Sequence, residues 1–378
     1  MSSLIYVGMD VHKETISLCC YEAESGEYFG EAKINTNAKL VQEYLDAQEK
    51  FLIEKGLEEI TFLTAYEAGC LGFSLHKELE KIGIENKIVA PTTLLREAGQ
   101  SKKKTDRKDA KMIAQNLAFG TCSYVNIPTE KDLKVREYIR MVSHKRKFLR
   151  KEKQYILGFC LRNGIRYECG RTWTEAHLKF LRDVQIDDYL KDTLNELLDS
   201  YNKMKDSIER LELRLEKIAN DEDYSKNTKK MACLKGITQT TALTILSEVG
   251  DFKRFATANE FASYLGLVPG ESSSGLKTNR LGITKMGNSI VRTILIESSQ
   301  SIVRGQVGQK SKRIKARQID QDVQTVTYAD RATERLMRKF RMLIMKGKER
   351  NKAITAIARE LACFIWGIMT DNLEPRNI

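Results

Sequence analysis

Apolar residues gather in three short runs near the start of the chain, Leu4 to Asp10, Thr15 to Tyr21 and Glu27 to Ile34, each with the length and content of a strand. The polar breaks Val11-His12-Lys13-Glu14 and Glu24-Ser25-Gly26 supply turns, so the chain is predicted to open as an antiparallel meander. After Asn37, a residue suited to cap a helix, the period lengthens. Leu40, Tyr44, Leu45 and Leu52 fall on one side of a helix that runs to about Lys55. A fourth strand (Ile60 to Ala65), a helix (Leu71 to Ile82), a short strand (Lys87 to Ala90) and, past a turn at Pro91, further helix complete an α/β unit.

From Thr129 to Tyr224 the pattern is helical. A first helix carries cations from Lys134 to Lys153 and keeps Tyr138, Val142, Leu149 and Ile156 for a buried side. In a second, Leu190, Leu194, Leu197, Tyr201, Met204, Ile208, Leu211, Leu215 and Ile218 alternate spacings of four and three. That spacing marks a helix which packs along another, either in the same chain or in a second subunit. The polar stretch Asn220 to Thr228 reads as a linker. Beyond it, a turn at Gly236 opens an apolar helix to Val249, either a plain interhelical turn or one whose backbone N–H groups suit a phosphate. A helix from Ala258 to Leu265 follows, then a loop rich in serine and glycine, then helices over Ser289 to Ser301, Thr333 to Met345 and Ala353 to Thr370. The expected organisation is an α/β domain over residues 1–125, a basic helical and coiled-coil region over 126–225 and a mainly helical domain over 226–378.

Charge narrows the partners. The chain has 378 residues, 30% of them charged, and a formal net charge of +12. Such an excess points to a polyanion, because cations that pair with phosphates release condensed counterions. The cations cluster at 102–108, 134–153 and 310–352, which makes Lys104, Arg107, Lys145, Arg146 and Lys147 candidate nucleic-acid contacts. The eight cysteines lack the paired spacing of a zinc site, which predicts reduced, mostly buried thiols. No secretory signal opens the sequence, and the apolar stretch from Leu361 to Met369 is too short to span a bilayer. A cytoplasmic, nucleoid-associated protein is expected.

Two groups of residues carry candidate chemistry. Asp10 ends the first strand, Glu67 follows the fourth, and Asp106 and Asp109 stand three apart at a helix start, on one face. Converging carboxylates repel one another unless a divalent ion holds them, and such ions can activate a nucleophile and stabilise a leaving oxygen. Far downstream, Ser272-Ser273-Ser274 stands between Gly270 and Gly275, ahead of Lys277, Arg280 and Lys285. Such a stretch can offer a hydroxyl to a phosphate whose flanks the cations hold.

Taken in order, the motifs resemble the bacterial insertion-sequence 110 family of transposases. The upstream set is Gly8-Met9-Asp10-Val11-His12-Lys13, Tyr66-Glu67-Ala68-Gly69 and Lys104-Thr105-Asp106-Arg107-Lys108-Asp109-Ala110. The downstream set is Lys235-Gly236-Ile237 with Thr241-Ala242, Phe261 to Pro269, Ser273-Ser274-Gly275, and Gly282-Ile283-Thr284-Lys285 with Gly287-Asn288. The resemblance implies an RNase H-like N-terminal fold of the Holliday-junction-resolvase type, with Asp10, Glu67, Asp106 and Asp109 as a tetrad for Mg²⁺. It implies a serine nucleophile, Ser274 by its place before Gly275, that acts with the tetrad in a composite site on donor and target DNA. It also implies a structured guide RNA and a homodimer that assembles into a tetramer. Where relatives often carry a tyrosine before the paired serines, this chain has Ser272, which leaves Ser273 as the other candidate. The rival readings are a metal-dependent nuclease or junction resolvase with structural serines, and a nucleic-acid-binding scaffold whose acids no longer bind metal.

Overall fold

A computed structural model of the protein describes residues 2–69, 71–95, 106–274 and 277–374; for residue 2 and residues 271–280 it describes the backbone only. The chain divides into two compact units, 1–127 and 128–378.

The first unit is built on a five-stranded sheet in the order β3-β2-β1-β4-β5. The strands are β1 (Ser2–Val11), β2 (Thr15–Glu22), β3 (Glu27–Asn35), β4 (Glu59–Glu67) and β5 (Asn86–Val89). The opening meander is antiparallel, as the turns predict, whereas β4 joins parallel to β1 and β5 parallel to β4. Helices α1 (Ala38–Glu54) and α2 (Ser74–Lys81) cover one face. There Ile5, Val7 and Met9 of β1 pack with Val41, Leu45 and Leu52 of α1 and with Leu75 and Leu79 of α2. The other face takes α3 (Asp106–Ala118), whose Met112, Ile113 and Leu117 meet Ala65 and Val89. The turn expected at Pro91 is a 3-10 turn, Pro91–Thr93, and the further helix expected beyond it is α3. Pro91 sits in the first turn, where its missing N–H costs nothing.

The second unit is mainly helical. Helix α4 (Glu130–Arg162) and helix α6 (Asp188–Ala219) run antiparallel, with α5 (Glu175–Asp183) against one end. Ile156 and Phe159 of α4 pack with Leu194, Leu198 and Tyr201 of α6, while Val135, Ile139 and Val142 pack with Leu215 and Ala219. Of the four-three stripe of α6, Leu194, Tyr201, Ile208 and Leu215 are buried within the chain, while Leu190, Leu197, Met204, Leu211 and Ile218 are half-buried. The stretch expected as a linker is largely helix α7 (Glu222–Met231), capped by Asp221 and anchored through buried Tyr224 and Met231. Its polar look comes from exposed positions; the two apolar anchors are too sparse to show a period.

Helices α8 (Gln239–Val249), α9 (Ala258–Tyr264), α10 (Ser289–Ile302), α11 (Lys312–Gln318), α12 (Val323–Met345) and α13 (Arg350–Met369) follow. All but α11 contribute to one core through Ile245, Phe261, Leu295, Leu336, Ile357 and Leu361. The expected serine-rich loop is instead a hairpin, β6 (Pro269–Ser274) with β7 (Lys277–Ile283), between α9 and α10. Gly236 has a packing role: a Cβ there would lie 2.7 Å from the Ser298 carbonyl oxygen, so the glycine lets the turn before α8 press on α10. The cysteines 19, 20, 122, 160, 233 and 363 are free and buried, Cys169 is free and exposed, and Cys70 lies outside the described residues.

Candidate functional site

Strand periodicity places the first acids. Side chains two apart share a face, so Asp10 lies on the Gly8 side of β1 and Glu67 on the Ala65 side of β4. Ala65 packs in the cluster that holds α3, so both acids belong to the face that α3 covers. In the parallel register Met9 pairs with Tyr66, which sets Asp10 and Glu67 at neighbouring positions on the carboxyl-terminal edge of the sheet.

Gly8 explains why α3 reaches that edge. A Cβ at Gly8 would lie 2.0 Å from the carbonyl oxygen of Ala110 and 2.5 Å from the amide nitrogen of Ala114, so only glycine allows so close an approach. Asp106 begins the helix one turn before Ala110, and Asp109 shares that first turn. Carboxylates there also gain from the helix dipole. Salt bridges from β3 hold α3: Lys33 Nζ lies 3.1 Å from Asp106 Oδ2, and Lys111 Nζ 2.6 Å from Glu31 Oε1. The hydrogen bond from Lys33 keeps the Asp106 carboxyl below its usual range, and Lys111 does the same for Glu31.

Among the described residues, Asp10, His12 and Asp106 offer ligand atoms that all lie within 4.8 Å of one another. His12 Nε2 stands 3.3 Å from Asp10 Oδ2 and 3.7 Å from Asp106 Oδ1. Oxygen ligands of Mg²⁺ sit at about 2.0–2.1 Å, so atoms on opposite sides of one ion are about 4 Å apart. This donor set therefore fits a divalent cation with small side-chain shifts. Glu67 and Asp109 stand outside that cluster of three, at the same end of the same face. His12 is not among the site residues expected from the sequence, although it sits inside the motif that supplies Asp10. The signal for it is its spacing of two from Asp10 at a strand end, where side chains of equal parity share a face.

In the second unit the backbone of Ser272, Ser273 and Ser274 lies in β6, with Ser274 opposite Lys277. The side chains of these serines, of Lys277 and of Arg280 lie outside the described residues, as does Lys104. The base of the hairpin is well defined. Gly266 and Gly287 have φ of 64° and 73°, and a Cβ on either would lie 2.2 Å from the Met286 carbonyl oxygen or 1.9 Å from that of Tyr264. Two backbone segments thus cross in contact there. Arg292 ties them by donating to the carbonyls of Leu265, 2.8 Å, and Met286, 3.0 Å. Lys285 belongs to the same crossing: its amide donates to the Gly266 carbonyl at 3.1 Å, and its side chain is exposed.

A buried carboxylate extends this anchor. Glu248, 4% exposed, accepts from Asn288 Nδ2 at 3.0 Å and from Arg140 of α4 at 3.1 Å. Asn288 Oδ1 meanwhile caps α10 by accepting from the amides of Ile290 and Val291. Arg136, also buried, donates to the carbonyls of Ser247 and Glu248 at the end of α8. Two cations of the basic helix are therefore structural. Lys145 and Lys147 are exposed, Arg146 is exposed and pairs with Glu212 at 2.7 Å, and Arg107 is exposed on α3.

An acid cluster where a mixed sheet meets a helix start lies in the first unit, and a clamped serine hairpin in the second, helical one. A family model described as "Transposase", for the DEDD domain of the IS110 group, matches residues 7–159. A second, described as "Transposase IS116/IS110/IS902 family", matches residues 229–315. The chain is 31% identical over 367 residues to the "Putative transposase y4qE" of Sinorhizobium fredii (strain NBRC 101917 / NGR234), covering 96% of this chain and 88% of that protein. It is 29% identical over 358 residues to the "Transposase for insertion sequence element IS1533" of Leptospira borgpetersenii, covering 92% and 99%. The chain belongs to the IS110/IS116/IS902 family of transposases. Among the described residues no helix is long and apolar enough to cross a membrane.

Proposed function

We propose that this transposase cuts and rejoins donor and target DNA through a phosphoserine intermediate, with an RNase H-like first unit whose DEDD residues hold Mg²⁺. The observation that carries the reading is the convergence of Asp10 and Asp106, from a strand end and a helix start, at ligand distance. Asp10, Glu67, Asp106 and Asp109 would hold the cation. When bound, it supplies positive charge beside the phosphate oxygens and the leaving oxygen. The chain's own part is to provide the nucleophile. The Ser274 hydroxyl attacks phosphorus, a serine–phosphate bond forms, the bond to the departing strand breaks, and that strand leaves as a free hydroxyl that takes up a proton. Attack by the hydroxyl of a second strand then reverses the bond changes and frees the serine. The glycines on either side of the hairpin base support this role, because they fix where the serine-bearing strand leaves the helical core.

Positive charge on α4 supports phosphate-dominated binding of DNA and of a structured guide RNA encoded by the element. The homodimer and its tetramer would draw on the half-buried stripe positions of α6, Leu190, Leu197, Met204, Leu211 and Ile218, beside those that α4 covers.

Suicide DNA substrates test the chemistry. The expected result is a covalent adduct that maps to the Ser274 peptide by mass spectrometry and is absent from Ser274→Ala. An adduct retained in Ser274→Ala and lost in Ser273→Ala moves the role back one residue. Metal-dependent cleavage with no adduct in the wild type replaces this reading with a nuclease or resolvase that has structural serines.

A further inference from the structure

The exposed side of α4 carries rings where a merely solvated helix would carry charge alone. Phe148 is 47% exposed, Tyr155 57%, and His144 is also exposed. Their spacings of four and seven residues set them in one file along the helix. His144 and Phe148 meet edge to face with centroids 4.6 Å apart. Cations accompany the file: Lys151 Nζ lies 5.7 Å from the Phe148 centroid and Arg162 Cζ 5.9 Å from that of Tyr155. From Tyr138 to Lys151 the sequence has six Lys or Arg and no Asp or Glu. Arg140 and Arg146 are paired, whereas Lys145 and Lys147 are exposed on either side of the file and Lys151 stands over Phe148.

Single exposed rings are ordinary on protein surfaces. A file of them inside a one-signed field is a more particular chemistry. Phosphates answer the cations, and only unpaired bases offer a face to the rings, since in a duplex the bases stack on each other and show only edges. RNA meets both demands: its paired regions hide their edges in a deep, narrow groove, so recognition falls on unpaired loops and splayed bases. We propose that the His144, Phe148 and Tyr155 file is a stacking platform for an unpaired segment of RNA, with Lys145, Lys147 and Lys151 on the neighbouring phosphates. For the identity of the strand this rests on the guide-RNA reading of the protein.

The test uses the full-length protein and three fluorescent probes of matched sequence: an unstructured RNA of about 20 nucleotides, longer than the ~4–16 that one such platform covers, the same strand as DNA, and the DNA duplex. Base stacking on an aromatic side chain corresponds to about 5- to 150-fold in affinity. Phe148→Ala and Tyr155→Ala should each weaken RNA binding within that range and change duplex binding less than about twofold, and Phe148→Trp should retain RNA affinity. Both rings are exposed, so the variants should fold, with unchanged thermal midpoints. Equal loss on the duplex overturns the platform, as does unchanged RNA affinity. Tighter wild-type binding of the DNA strand than of the RNA assigns the file to DNA and also overturns it. A drop in mass by light scattering for Phe148→Ala would give the face to a second copy of the chain. A wild type that binds no RNA removes the guide reading itself, whereas variants without the rings that bind RNA as well as the wild type remove only the platform.

Discussion

At Gly8 one hydrogen atom sets the geometry of the acid site. A methyl group there would press on the backbone of Ala110 and Ala114, atoms that cannot turn aside as a side chain can. Gly8→Ala should therefore push α3 and Asp106 away from Asp10. Overpacking of this kind costs about 1–3 kcal/mol, which denaturant unfolding would read. Calorimetric titration should show weakened Mn²⁺ or Mg²⁺ binding. Unchanged binding by a destabilised Gly8→Ala protein would separate the glycine from the site. In the sequence Gly8 is conspicuous only as part of a motif; the reason for it lies in a helix about a hundred residues later and has no local signature. A second residue-scale prediction concerns His177, which is 2% exposed and whose ring meets Tyr167 and Trp173. Its Nδ1 accepts from the Trp173 amide at 3.2 Å, so it is neutral there, and burial pushes its pKa down. Since the unfolded chain then takes up the proton more readily, the stabilisation is complete above the ordinary histidine value of about 6.5 and is lost as pH falls below it. Thermal midpoints should decline from about pH 7 to about pH 5, and His177→Gln should flatten that slope.

At the scale of elements, periodic stretches were legible and close approaches were not. The α6 stripe declared a packed helix, but the four-three spacing is the same whether the partner is in the chain or outside it. The opposed α4 positions, Val135, Ile139 and Val142 against Leu215 and Ala219 and Ile156 and Phe159 against Leu194 and Tyr201, supply a partner within the chain. The serine stretch read as a loop because serine and glycine are turn-formers. Its strands are held by cross-strand backbone bonds and by the crossing at Gly266 and Gly287, which depend on approaches across the hairpin and with the end of α9. The Arg140, Glu248 and Asn288 chain escaped the sequence for a similar reason: Glu248 sits in an apolar helical run and looks like a solvated charge. Removing it should leave Arg140 and the Asn288 amide without their acceptor. Arg140 is 47% exposed and water can take over part of its bonding, so Glu248→Ala should cost about 1–3 kcal/mol, below the value for a fully buried pair. Hydrogen exchange should accelerate at residues 284–291, at the hairpin base and the start of α10, with Glu248→Gln restoring most of the protection. Protection unchanged in Glu248→Ala would show that the two glycines and Arg292 hold the base without the carboxylate.

Across the whole molecule, the acids and the serines belong to different compact units. The sequence could state the two motif sets and their order, and it could not say which cations bind phosphate and which hold the protein together. The structure assigns the second group: Arg136 and Arg140 serve the junction of α4 with α8, while Lys145 and Lys147 stay exposed. A test of phosphate binding should therefore spare the arginines. Reversing Arg146 would also set a glutamate beside Glu212, mixing a helix-pair defect with a binding defect. Lys145→Glu with Lys147→Glu avoids that. Each lysine–phosphate pair removed on duplex DNA changes the slope of log affinity against log salt by about 0.9, so the double variant should bind more weakly at low salt and with a slope shallower by up to about 2. Its affinity should approach that of the wild type as salt rises, because the missing contribution is counterion release. A parallel downward shift at every salt concentration would instead mean that the two lysines maintain the fold or a non-ionic interaction, and the basic helix would lose its place as the phosphate-binding surface.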